Sequence, residues 1–205
     1  MTDTANSGNK TLWVVAISAI LLLGVGGVFL WKQATQALVK SYIIENPEII
    51  TEAMQNLQRR ETANRLASAG GELTKPFPGA VAGAADGDVT LVEFTDYSCG
   101  YCRKSVADVA RLVNDDQKLR VVYRELPILS PASRDAARWA LAAARQGKHK
   151  AFHDAMFTSG PPDDASIRAA AQSAGLDMAR AEADADSPEI AAEIDANLAM
   201  MQQVG

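Results

Sequence analysis

Apolar positions change their spacing repeatedly along the chain. From Thr11 to Trp31 no charged residue interrupts a run containing Leu12, Trp13, Val14, Val15, Ile17, Ile20, Leu21, Leu22, Leu23, Val25, Val28, Phe29 and Leu30. A run of that length crosses a bilayer as a helix, with Trp13 and Trp31 at the two lipid-water boundaries. Gly24, Gly26 and Gly27 argue against a buried core helix. A cleaved signal peptide is disfavoured because the run exceeds the roughly 7–15 residues of a signal core, and only a weak Thr35-Gln36-Ala37 site follows it. The expectation is an uncleaved anchor over residues 12–31 after a short tail, 1–11.

Residues 32–69 read as an amphipathic helical stalk. Asn46 caps, Pro47 takes the first helical position and Glu48 adds acid in the first turn. Ile43, Ile50 and Leu57 recur seven apart, with Met54 between them. Such a short heptad stripe suits either self-association of stalks from several copies or a helix folded back on its own domain. Glycines 70, 71 and 79, with Pro76, Pro78 and the Ala/Gly-rich stretch to Asp88, read as a linker over 70–88.

From Val89 the period changes to that of a β-strand, VTLVEFT, followed by a helix on which Val106, Val109, Ala110 and Val113 share one face. A second strand, Leu119 to Tyr123, follows the turn at Asn114-Asp115-Asp116. Strand, helix, strand predicts a parallel pair with a right-handed crossover. From Pro131 the chain is Ala-rich and helical, with helices through Phe152 and Phe157, over Asp164 to Ala174, and from Ser187-Pro188 nearly to Gly205, the last presenting Ile190, Ile194, Leu198 and Met201.

The 205 residues are 48% hydrophobic with a net charge of −5, enough for one domain with a core plus the N-terminal element. The acidic balance and scattered basic residues argue against a nucleic-acid partner. The only two cysteines, Cys99 and Cys102, stand where the first strand gives way to the helix. There the unpaired N–H groups and the positive helix end favour a thiolate. Cys99 at the edge is the expected attacker, and Cys102, one turn in, the resolving thiol. Glu93 sits between Val92 and Phe94. Burial would raise its pKa and make it a proton acceptor for the buried thiol, whereas strand alternation would point it to water.

In combination, VEFTDYSCGYC, the later VVYRELPIL, the helical insertion after it and the upstream SYIIENPEIITEAM resemble the DsbA-like thiol-disulfide oxidoreductases of bacterial envelopes, particularly the membrane- or stalk-associated relatives with Cys-Gly-Tyr-Cys. The resemblance covers about Ser41 to Gly205. It implies an α/β, thioredoxin-like fold over 89–205 with a helical insertion at about 131–186. It also implies Cys99 as nucleophile, Cys102 as resolving thiol and Glu93 as the acid buried beneath them. Disulfide exchange with protein thiols or disulfides is the implied activity; no cofactor is expected, and a membrane redox partner is. An oxidising compartment suits a tethered dithiol, which places the anchor in the inner membrane and the redox domain in the periplasm. The family continues with a cis-proline strand, another strand and a closing helix. None of the eight prolines here fits that role, so the expectation is a C-terminally incomplete domain of reduced stability and activity.

Two other readings stay open. His149 and His153, four apart on a helix, have the spacing to join Cys99 and Cys102 in a Cys2His2 zinc site, although the 46 residues from Cys102 to His149 are unlike a zinc finger. Alternatively the pair is a passive disulfide in a structural, membrane-anchored oligomer. Between oxidase and isomerase or reductase the stalk is the only clue, since assembly of residues 32–69 favours shuffling.

Overall fold

The computed structural model describes Trp13 and residues 31–205. The anchor expected over 12–31 therefore falls, but for its two tryptophans, outside the described residues. Among the described residues no helix is long and apolar enough to cross a membrane. The chain divides into two compact units, Met1–Arg60 and Glu61–Gly205.

Residues 31–45 are helical (α1), and a break at Asn46-Pro47 separates them from α2, Glu48–Ala69. The cause is local: Pro47 has no N–H for the turn before it, and the Asn46 side chain, rather than capping α2, donates back to the Tyr42 carbonyl at 2.8 Å beside the Asn46 main-chain N–H at 3.0 Å. No residue of α2 is buried, and Ile50, Met54 and Leu57 are all more than half exposed.

In the second unit a three-stranded sheet has the order β1-β3-β2, built from β1, Val81–Gly83, β2, Val89–Thr95, and β3, Leu119–Glu125. The expected parallel pair forms, with Glu93 opposite Tyr123 and Thr95 opposite Glu125. Strand β1 lies inside the stretch read as linker and pairs antiparallel with β3, Val81 opposite Val122. Three residues in an Ala/Gly-rich context carry too little alternation to announce a strand. Gly83 ends β1 at φ +75°, and a side chain there would strike the Leu119 carbonyl.

Between β2 and β3 runs α3, Gly100–Asp115, whose Val106, Val109 and Val113 pack on the core. The helical insertion comprises α4 (Pro131–Arg145), α5 (His149–Thr158), α6 (Asp164–Ser173) and α7 (Met178–Ala185), and α8 (Pro188–Val204) follows. The alanines of α4 are its packing device: Ala136, Ala140, Ala142 and Ala143 are fully buried, and their small size lets neighbouring helices approach. Ser130 and Ser187 cap α4 and α8 through N–H groups three residues on, each followed by a proline at the helix start.

Candidate active site

Cys99 is the N-cap of α3. Its extended backbone (φ −81°, ψ 118°) turns the sulfur toward the helix end, where the Cys102 N–H donates to Sγ at 3.4 Å. That N–H is one of the donors any helix start leaves unpaired, and it is the leading cause that holds the Cys99 thiol below its ordinary pKa. Cys102 moves the other way. Burial pushes its thiol up, only partly offset by the main-chain N–H of Asp96. Both thiols are free.

Glu93 does not follow strand alternation out to water. It is half-buried and accepts a hydrogen bond at 3.0 Å from Ser105 Oγ on α3, whose hydroxyl is also 2.8 Å from the Cys102 carbonyl. Burial raises its pKa, more than the Ser105 bond lowers it, and its Oε2 is buried without a protein partner. The carboxyl is thus linked to the Cys102 turn through one side chain.

No sequence pattern singles out Asp96, Ser105 or Ser133. An acid before a cysteine reads locally as an ordinary turn residue, but Asp96 is 5% exposed and both its oxygens are occupied. The histidines do not join the cysteines. His149 Nε2 lies 2.9 Å from Glu125 Oε1, and His153 Nδ1 lies 3.3 Å from the Tyr97 hydroxyl, which donates to the same Glu125 oxygen at 3.2 Å. All four of these side chains are buried. Among the described residues no group of three or more His, Cys, Asp or Glu is placed to hold a metal ion, so the Cys2His2 arrangement does not form. Its helical spacing was real, but both imidazoles turn into the core to satisfy Glu125 and Tyr97.

A dithiol at the N-terminus of the helix that follows a parallel strand defines the thioredoxin-like class. The DSBA-like thioredoxin domain profile matches residues 90–205, and the N-terminal domain of the copper resistance protein ScsC matches residues 32–63. A thioredoxin-like oxidoreductase from Silicibacter pomeroyi is 43% identical, with a TM-score of 0.62 over 65% of this chain and 78% of that one. The thiol-disulfide exchange protein alpha-DsbA2 from Wolbachia pipientis is 27% identical, with a TM-score of 0.65 over 72% and 82%. A stretch of 123 residues, 58% of this chain, is 35% identical to the Na(+)/H(+) antiporter NhaA of Herminiimonas arsenicoxydans. The chain spans only 12–19% of the length of the curated relatives it matches. The chain belongs to the DsbA-like family of thioredoxin-fold thiol-disulfide oxidoreductases.

Proposed function

We propose that the protein is a membrane-anchored thiol-disulfide oxidoreductase acting on protein thiols and disulfides in the bacterial envelope. The observation that carries this reading is the inequality of the two sulfurs, one held by a helix N–H and favoured as thiolate, the other half-buried and favoured as thiol. In the reducing direction the Cys99 thiolate attacks a substrate disulfide, forming a Cys99-substrate disulfide and releasing one substrate thiolate. Cys102 gives up its proton and attacks Cys99 Sγ. The second substrate sulfur leaves, the Cys99-Cys102 disulfide closes, and two electrons have passed to the substrate. Run backwards, the same steps oxidise a substrate dithiol. A membrane redox partner restores the starting state of the pair. Glu93 is the group that would take the Cys102 proton, relayed across Ser105 or a water molecule.

Polypeptide substrates suit the surroundings of the pair. Tyr101 is 83% exposed, and Ile128 and Leu129, whose amides bind Asp96, are more than half exposed. Apolar side chains presented around a reactive sulfur favour contact with an unfolded or extended chain. Replacing Cys102 with Ala is expected to trap covalent Cys99-substrate disulfides, visible as thiol-sensitive bands on non-reducing gels. A Cys102→Ala variant that traps nothing, with Cys99 alkylated no faster than a free thiol at neutral pH, would overturn the reading.

The charge-free run from Thr11 to Trp31 supports a single-pass anchor with the redox domain on the periplasmic side. Stalk self-association is supported by the unburied Ile50-Met54-Leu57 stripe. Sedimentation of a chain beginning at residue 32 is expected to give an oligomer, and Met54→Glu with Leu57→Glu to give a monomer. A monomer from the unaltered chain would favour the fold-back stalk and oxidase work.

A further inference from the structure

We propose that Asp96 is a positioning residue for the Cys99 reaction: its one carboxylate locks the loop before Cys99 to the loop over 127–130, and its negative charge acts on the attacking sulfur. The inference rests on the reading of Cys99 as nucleophile. Oδ1 accepts the Ser98 N–H at 2.8 Å and the Ser133 hydroxyl at 2.6 Å. Oδ2 accepts the N–H groups of Ile128 at 2.8 Å and Leu129 at 2.9 Å. The main-chain carbonyl of Asp96 accepts the Cys99 N–H at 2.9 Å. The hydroxyls of Ser98, Ser130 and Ser133 close a triangle of 2.8–2.9 Å contacts around the same junction.

One buried acid thus fixes the entry to the dithiol and the start of the loop carrying two exposed apolar side chains. Four donors to one carboxylate are charge-assisted bonds, stronger than neutral ones. An asparagine of the same shape has one acceptor oxygen, so its amide nitrogen must face either the Ile128 and Leu129 amides or the Ser98 amide. Loss of the carboxylate therefore releases one loop from the other.

The charge has a second effect. Cys99 is held low chiefly by the Cys102 N–H, and Asp96 pulls it in the opposite direction. The adjacent cations are turned elsewhere. Arg103 donates to the Gly160 carbonyl at 2.8 Å and lies over the Phe157 ring, while Lys104 lies over the Tyr101 ring. Asp96 thus opposes the helix terminus in setting how much Cys99 is thiolate.

The test is a thiolate titration of the reduced full chain by ultraviolet absorbance, with hydrogen exchange at the Ser98, Ile128 and Leu129 amides. Asp96→Asn is expected to lower the Cys99 midpoint and to lower protection either at the Ser98 amide or at the Ile128 and Leu129 amides, whichever the new amide nitrogen faces. Ser133→Ala keeps the carboxylate, removes one of its donors and leaves its charge less offset, so the midpoint moves up while the amides stay protected. Opposite signs are the signature, because general loosening of the site would move both variants together. Shifts of the same sign, or a midpoint that Asp96→Asn leaves in place, overturn the inference. Should Asp96→Asn not fold, the upward shift in Ser133→Ala decides alone. A midpoint of an ordinary thiol in the unaltered chain overturns the functional reading itself, which separates the two failures.

Discussion

Cys99 and Cys102 occupy one helical turn, yet their surroundings drive them apart, and Glu93 sits where that difference can be used. Its carboxyl has one hydrogen bond, from Ser105, and one oxygen without a protein partner. Its raised pKa is a statement about stability: the native state holds its proton more readily than the unfolded chain does. Stability therefore falls as pH rises from the ordinary carboxylate value, 4.5, and levels off above the raised native value. Glu93→Gln keeps the shape and escapes that loss. The variant is expected to match the parent in urea unfolding near pH 4.5 and to be the more stable of the two at pH 8, while its mixed disulfides resolve about 10-fold or more slowly. Equal stability at both pH values would place Glu93 in a solvated position. The two cysteines are legible from sequence because they are the only thiols and end an apolar strand. Asp96 is not, because its donors Ile128, Leu129 and Ser133 lie more than thirty residues away.

Elements were easier to read than the links between them. Strands β2 and β3 and the helices of the insertion follow from periodicity and caps, and Ser187 starts α8 where its sequence signal stands. An arginine in β3, invisible to any local pattern, is one of the side chains that tie α8 to the sheet. Arg124 is 4% exposed and donates to Asn197 Oδ1 at 2.9 Å and Glu193 Oε1 at 3.1 Å on α8. Its second terminal nitrogen, Nη2, serves the carbonyls of Glu72, Leu73 and Lys75 ahead of β1. Asn197 in turn donates to the Glu125 carbonyl at 3.2 Å. Arg124→Met fills a similar volume but orphans these acceptors. Removing one member of a fully buried ion pair costs about 3–5 kcal/mol; Glu193 is half-buried, so denaturant unfolding should show a loss below that range but above about 1 kcal/mol. A loss below about 1 kcal/mol, the ordinary value of a surface pair, would mean that water replaces the guanidinium.

Across the redox unit as a whole, ionisable groups are buried where a small domain can least tolerate uncompensated charge, and they divide by sign of pH response. Glu125 and Glu93 are both pushed up by burial, so each makes the fold less stable as pH rises from 4.5. His153 is pushed well below its ordinary 6.5, first by burial and then by His149 and Lys150. Between that depressed value and 6.5 it is neutral in the native state and protonated in the unfolded one. Its contribution is therefore complete above pH 6.5 and is lost as pH falls from there toward the depressed native value. The sequence suggested a metal-binding role for these imidazoles because their partners come from other elements, Glu125 from β3 and Tyr97 from the turn before α3. His153 also packs against the rings of Tyr97, Tyr123 and Phe157, so His153→Leu keeps an apolar group in that space. The difference in unfolding free energy between parent and variant should grow as pH rises toward 6.5, by at most about 1.4 kcal/mol per pH unit for one proton. Above that pH it should be flat. With the histidine gone, the two raised carboxylates are left in control, and the variant should lose stability with rising pH over the interval in which the parent is held nearly level by opposing protons. A parent and variant whose pH profiles run parallel would show that the acid response comes from elsewhere in the molecule and that His153 is buried without thermodynamic consequence.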